Sequence, residues 1–444
     1  METRDSTIQN RHGIAVTTGS ESRVYGLGCV LCIALIVCSR NFSDRGGPYF
    51  MASLALAGIV YLFAVREFFA SQNYPRRLVI IGLLLAFLWQ VAFLRLPAGP
   101  DDDIHRYVWD GRLQRLGYNP YVIVPSDPSV QHLHTAETRG LNNADLPTPY
   151  PPGAQLFFRA VTAIHESTFA LKVAFFVCDW AIVLLLLDLL RYTRQPAHLV
   201  LLYAWNPLLA VEGSSHVDIL GAFLLLVSAG ALARRWRLTA AVSLGLAIAV
   251  KFLPIVLLPL YWKRIRIRDA LIAAAVVAIL YVPFLRHGHV PLGSLGQYVT
   301  GFRFNGPVFA ILHNIAPIWL LAALAVLIGS STAVWLRRSK PEWSPDQFAW
   351  PMAASLICAP AVFPWYLLWL LPFLTSTSTL LPLLWTVAII TTYIMWHLRA
   401  INGTWGALPT WVMLVEYGIL AIAAVTIGLR TIGRDTRRNS IRHG

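Results

Sequence analysis

DDDIHRYVWDGRLQRLGYNPY, residues 101–121, is the most polar and most acidic run in an otherwise apolar chain. It follows the third strongly apolar segment. Successive carboxylates beside a membrane are costly to hold unless something uses them. The stretch therefore reads as the working loop, and the rest of the chain as a scaffold that holds it against a membrane.

The 444 residues are 57% hydrophobic and 13% charged, where soluble domains carry about 25% charged residues. Repeated apolar runs of about 17–25 residues imply transmembrane helices. No segment alternates as a membrane β-barrel strand does. The expected class is all-α integral membrane, a bundle of about 12 spanning or half-spanning helices. The net charge of +14 does not point to nucleic acid, because the cations lie at helix ends and in short loops, as the positive-inside rule requires. Of the five cysteines, Cys29 and Cys32 form a C-x-x-C, but no second pair or histidine cluster supports a metal or redox site. Residues 1–23 mix both signs of charge, and the apolar run after them lacks a small-residue cleavage site. They read as a cytoplasmic tail before an uncleaved first helix.

Spans are expected at 24–38, 49–65 and 78–96. The cations Arg66, Arg76 and Arg77 put the second connection in the cytoplasm, so residues 97–167 lie outside as a loop too long to be a mere connector. Helices at 169–190, 199–211 and 219–233 continue the alternation. Residues 238–262 break it, because cations flank both ends. Lys251 and Pro254 sit mid-run in VKFLP, and proline disrupts a helix, so two half-helices meeting near Lys251 are expected. Spans at 270–284 and 308–336 follow. Residues 348–374, which contain Pro360, Pro364 and Pro372, are expected to split near 363–366. Helices at 380–397 and 408–429 then place the basic tail, 430–444, in the cytoplasm. The membrane domain is thus 24–429, with the working loop on the extracytoplasmic face of the plasma membrane and both termini cytoplasmic.

If the acidic stretch is helical, Asp103, Arg106, Tyr107 and Asp110 share a face. A carboxylate beside a guanidinium stays ionised, ready to take a proton or orient a hydroxyl. The competing reading is an ordinary helix start, with acidic residues favoured by the dipole and Asp102–Arg106 as a local pair. Further along the loop, GYNPY at 117–121 is a turn signal and PTPYPP at 147–152 a rigid extended segment. Residues 154–164 then place Leu156, Phe157, Ala160, Val161 and Ile164 on one face, as an interfacial helix would. Lys251 is an ionisable group inside an apolar run and a functional candidate by default. Arg303 is a second cation candidate. Glu212, His216 and Asp218 form another polar cluster, read either as an acceptor or metal site or as a wet loop between helices.

The acidic pair, then RY-x-WDG-R, G-x-NPY and YPP, resembles bacterial glycosyltransferases of the GT-C fold that use polyprenyl-phosphate sugars, including mannosyltransferase-like proteins and the glycosyltransferase family 87 type. The matching residues are Asp102, Asp103, Arg106, Tyr107, Trp109, Asp110, Gly111, Arg112, Gly117, Asn119, Pro120, Tyr121 and Tyr150–Pro152. WNPL at 205–208, SHVD at 215–218, VKFLP at 250–254 and PWYLLW at 364–369 are weaker landmarks. The resemblance implies a multi-pass transferase with a catalytic aspartate in its first large loop, Asp103 or Asp102. It also implies a lipid-phosphate-linked hexose donor, with mannose the leading candidate. Many relatives carry histidine before PWY, where this chain has Phe363.

The reading at this point is transfer of a hexose from a polyprenyl-phosphate donor to an extracytoplasmic glycan or lipid acceptor. Arg106, Arg112, Lys251 and Arg303 are candidate phosphate ligands. Tyr107, Trp109, Asp110, Asn119, Tyr121, Tyr150, His216 and Asp218 are further binding candidates. The partners are the donor, the acceptor and the bilayer; the donor class can act without a metal, and no ligand motif indicates one. The main alternative is a transporter or lipid flippase, since broken helices occur there too. The carboxylates, however, gather in one loop rather than at mid-membrane. A non-catalytic scaffold is the third reading, and it requires the first-loop acids to be replaceable.

Overall fold

The computed structural model describes residues 5–99, 102–285, 291–340 and 342–443, the side chains of 1–18, 300 and 430–443 aside. Asp101, Arg286 and the side chains of the terminal cations lie outside the described residues.

The described residues form helices joined by turns and loops, with two isolated bridges, from Phe304 and from Asn305 to Ala361. Its helices are α1 (Asp5–Arg40), α2 (Pro48–Ala70), α3 (Arg76–Leu94), α4 (Asp103–Arg115), α5 (Pro152–Ile164), α6 (Thr168–Tyr192), α7 (Val200–Ala204), α8 (Pro207–Glu212), α9 (Asp218–Ala233) and α10 (Arg237–Val250). They continue as α11 (Leu258–Tyr261), α12 (Ile267–Tyr281), α13 (Leu295–Gly301), α14 (Pro307–Leu312), α15 (Ile318–Ser339), α16 (Asp346–Ile357), α17 (Leu380–Ala388), α18 (Ile394–Asn402) and α19 (Thr410–His443). Eight helical stretches among the described residues are long and apolar enough to cross a membrane, and α9 and α10 are shorter apolar helices. Leucine- and alanine-rich runs form these helices because the backbone can satisfy itself only internally in lipid.

Several boundaries differ from expectation. The first helix begins at Asp5 rather than at residue 24, and the last runs on to His443. The run 199–211 is two short helices, because Pro207 cannot continue the first and Asn206 caps the second, accepting from the Leu208 amide at 3.0 Å. Residues 308–336 divide into α14 and α15 at Pro317. The break at Lys251 comes where expected, but a 3₁₀ turn (Leu253–Leu257) and the four-residue α11 follow it in place of a second half-helix, and the later break comes at residue 358, ahead of the expected 363–366. The chain is extended at Lys251, after α10, and α16 stops at Ile357 before 3₁₀ turns at Pro364–Trp369 and Leu371–Phe373.

The hydrophobic core joins α1–α3, α6–α10, α16 and α17. The loop helices α4 and α5 pack on each other and on α6. Glycine is needed at their crossing: a Cβ at Gly111 would stand 2.5 Å from Thr162 Oγ1 and 2.6 Å from the Phe158 carbonyl oxygen. On α5 the expected apolar face is only partly covered, with Ile164 88% exposed, as an interfacial helix requires.

Candidate active site

Asp102 and Asp103 sit at the N-cap and first position of α4, where the helix dipole favours negative charge. Their side chains have different surroundings. Asp102 Oδ1 pairs with Arg45 at 2.7 Å, and its Oδ2 accepts from the Gly99 amide at 2.7 Å. Arg45 comes from the turn between α1 and α2, and lies 4.5 Å over Phe42 and 5.7 Å from the Trp396 ring. Asp103 Oδ1 accepts from Asn142 at 2.5 Å, and its Oδ2 accepts from the Tyr150 hydroxyl at 3.1 Å. Burial, and then the Asp103 carboxylate, hold the Tyr150 phenol well above its ordinary range, so it stays a donor.

Both aspartates line a cavity of about 470 Å³, together with Arg45, Tyr150, His216, Lys251 and Arg303. A larger groove of about 760 Å³ runs along α10 and α12, but no carboxylate lines it; the first-loop aspartates face the smaller cavity. Aromatic rings wall one side, and four are stacked in sequence. Phe304 lies 4.4 Å from Phe363, Phe363 4.7 Å from Trp365, and Trp365 4.1 Å from His216, with planes within 9°. Phe363, which replaces the expected histidine, is thus one plate of this stack.

His216 and Glu212 are buried, not part of a wet loop. His216 Nε2 meets Glu212 at 2.8 Å, and Nδ1 faces Asp103 Oδ2 at 3.8 Å. Burial alone would push the imidazole down, but Glu212, then Asp103 and Asp218, outweigh it, and the net shift is upward. Tyr393 donates to the other Glu212 oxygen. Lys251 pairs with buried Asp218 at 2.8 Å and lies 3.8 Å over the Tyr366 ring. Trp369 also donates to Asp218, at 2.7 Å. Arg303 stands over Phe309 at 5.5 Å. Its segment is anchored from α19, where buried Glu416 accepts from Asn305 at 3.0 Å and from Trp385 at 2.7 Å.

Of the residues singled out from sequence, Asp102, Asp103, Tyr150, His216, Lys251 and Arg303 meet at this cavity, and Asp218 stands behind Lys251. The others do not line it; they brace the loop. Arg106 is buried against Asp110 at 3.0 Å and donates to the carbonyls of Asn143 and Leu146, so Asp102 and Arg106 are not a pair. Tyr107 stacks on Phe158 at 4.5 Å. Trp109 stacks on His134 at 4.1 Å in a separate small core. Arg112 pairs with Glu166 at 2.7 Å. Asn119 holds the Tyr121 amide at 3.0 Å, and Tyr121 donates to the Tyr150 carbonyl at 2.8 Å. Arg45, Asn142 and Glu416 escape a reading of the sequence. Arg45 had one signal, a cation in the turn that faces the same side as the acidic loop. Among the described residues, no group of three His, Cys, Asp or Glu side chains is placed to hold a metal ion.

This division gives a testable contrast. Arg106→Met strands Asp110 with no exposure, and removing one partner of such a pair costs about 3–5 kcal/mol. The melting temperature in detergent is expected to fall sharply. Arg303→Met, at an exposed cavity edge, is expected to leave melting unchanged and to raise the donor KM.

The family model described as alpha-(1->6)-mannopyranosyltransferase, N-terminal domain, matches residues 37–264, just over half of the chain. The chain belongs to this mannopyranosyltransferase family. It is a multi-pass membrane glycosyltransferase. The matched segment carries Asp102, Asp103, His216 and Lys251 of this cavity; Arg303 and most of the aromatic wall lie beyond it. No curated protein sequence matches the chain. A solved structure, ArnT from Cupriavidus metallidurans bound to undecaprenyl phosphate, is 15% identical over 80% of this chain and 72% of its own, with a TM-score of 0.44.

Proposed function

We propose that this mannosyltransferase moves mannose from a polyprenyl-phosphate donor to a hydroxyl of an extracytoplasmic glycan or lipid, with Asp103 as general base. The observation that carries the reading is a pair of carboxylates facing a cavity, only one of them ion-paired to Arg45, with Lys251 and Arg303 also on the rim. The acceptor oxygen attacks the anomeric carbon and gives its proton to Asp103. The bond from that carbon to the phosphate oxygen breaks, and the oxygen leaves with the electron pair. Charge developing on the phosphate is met by cations already in place, which lowers the barrier without reorganisation. Asp103 is preferred to Asp102 because Asp102 is committed to an ion pair with the Arg45 guanidinium, whereas the donors on Asp103, Asn142 and Tyr150, are neutral. The Asn142 and Tyr150 donors fix the Asp103 rotamer.

Membranes containing the protein are expected to transfer labelled mannose from polyprenyl-phosphate mannose and not from a nucleotide sugar. Turnover of the nucleotide sugar alone would sink the donor assignment.

A further inference from the structure

We propose that His216 is the proton acceptor that resets Asp103, and that Glu212 is the positioning residue that makes it one. The proposal rests on Asp103 being the base. Each turnover then leaves one proton on Asp103, and a protonated carboxyl cannot serve the next acceptor. The two groups bonded to Asp103 cannot relieve it, because Asn142 and Tyr150 both approach as donors. His216 Nδ1 can. It is buried, has no hydrogen-bond partner, and stands 3.8 Å from Asp103 Oδ2. The gap to a hydrogen bond is about 1 Å, within reach of a small swing of the Asp103 carboxylate.

The ring is held in the one orientation that suits this. Trp365 stacks on its face at 4.1 Å, and Glu212 accepts at Nε2 over 2.8 Å. Glu212 is itself buried and receives the Tyr393 hydroxyl on its other oxygen, so it is filled by donors and faces no solvent. A hydrogen bond on one ring nitrogen sets the tautomer of the other; Nε2 keeps its hydrogen and Nδ1 keeps its lone pair. After attack, the Asp103 O–H bond breaks and an Nδ1–H bond forms. The imidazolium is then stabilised by Glu212, and it gives up its proton to the cavity, which Asp103 also lines, so the relay is a faster exit for the proton rather than its sole exit.

The charged groups facing His216 are Glu212 from α8, Asp103 from α4 and Asp218 from α9. Arg45 acts on Glu212, and Lys251 pairs with Asp218. The net upward shift of the imidazole fits a group that must take a proton from a carboxylic acid. The sign follows: the relay needs neutral His216, so turnover falls as pH drops through the raised imidazole value, above the ordinary histidine range of about 6.5.

The test is the pH profile of kcat for transfer from polyprenyl-phosphate mannose, in the parent, Glu212→Gln and His216→Gln. Removing the relay should lower kcat about 10²-fold in His216→Gln, with donor KM within about twofold, and should erase the acidic limb. Glu212→Gln should move that limb to lower pH, because the imidazole loses its charge partner. A purely structural role would lower rates without moving the limb. Folding is monitored by melting in detergent. His216→Ala is the second variant, where added imidazoles should restore turnover in proportion to their basicity. An unmoved limb in folded Glu212→Gln, parental turnover in His216→Gln, or rescue indifferent to imidazole basicity each overturns the proposal. A parent that transfers nothing from the lipid donor sinks the function itself instead, before any variant is compared.

Discussion

Asp103→Asn is expected to lower mannosyl transfer by about 10³-fold, within the 10²–10⁴ that a positioned general base contributes. Asparagine keeps the size of the side chain and one acceptor oxygen, so one of the two hydrogen bonds from Asn142 and Tyr150 survives. Folding and donor KM should change little, because the loss is felt only when the acceptor proton has to move. Asp102→Asn should behave differently. It removes the charge opposite Arg45, whose side chain is 10% exposed, in a pair of 2.7 Å. The expected result is a lower melting temperature and about a tenfold fall in transfer, arising from a displaced α4 N-terminus rather than from lost chemistry. Single-turnover transfer at matched expression separates the two. A larger loss in Asp102→Asn than in Asp103→Asn would reverse the assignment.

That assignment also shows how far the sequence can be read. The acidic stretch stands out because carboxylates are rare in an apolar chain, and a family motif sits on it. The motif does not tell chemistry from bracing. Arg106, Tyr107, Trp109, Asp110 and Arg112 share its most recognisable segment. Their work is to bind α4 to α5 and to the loop segments at 133 and 143–146. A helix turns a polar face towards another polar segment as readily as towards a cavity, and periodicity cannot distinguish the two. Breaks at Lys251 and before Pro364 are legible because proline sits mid-run. The break at Pro207 was equally written, in the Asn206–Pro207 pair, yet the short apolar run around it concealed it. Arg45 and Glu416 were hidden for another reason. Each meets its partner across a long span of chain, 57 residues from Arg45 to Asp102 and 111 from Asn305 to Glu416. Only the folded bundle brings them together.

Lys251→Met is expected to have the second large effect, and it acts on stability and donor binding together. Asp218 is 1% exposed, and its charge is met by Lys251 at 2.8 Å and the Trp369 indole at 2.7 Å. One of its oxygens already lacks a partner. Removing the lysine strands the carboxylate, at a cost of about 3–5 kcal/mol for a buried charge left unpaired. The melting temperature should fall, and the Tyr366 ring loses the cation above it. The same change removes one cation from the cavity rim, so the donor KM should rise about tenfold. Lys251→Met combined with Asp218→Asn separates the two roles. Asparagine still accepts from Trp369 and leaves no charge behind, so most of the lost stability should return. The donor KM should stay raised, because the cavity still lacks its cation. If the double variant instead regains the parental KM, Lys251 serves only to neutralise Asp218, and the phosphate is met by Arg45 and Arg303.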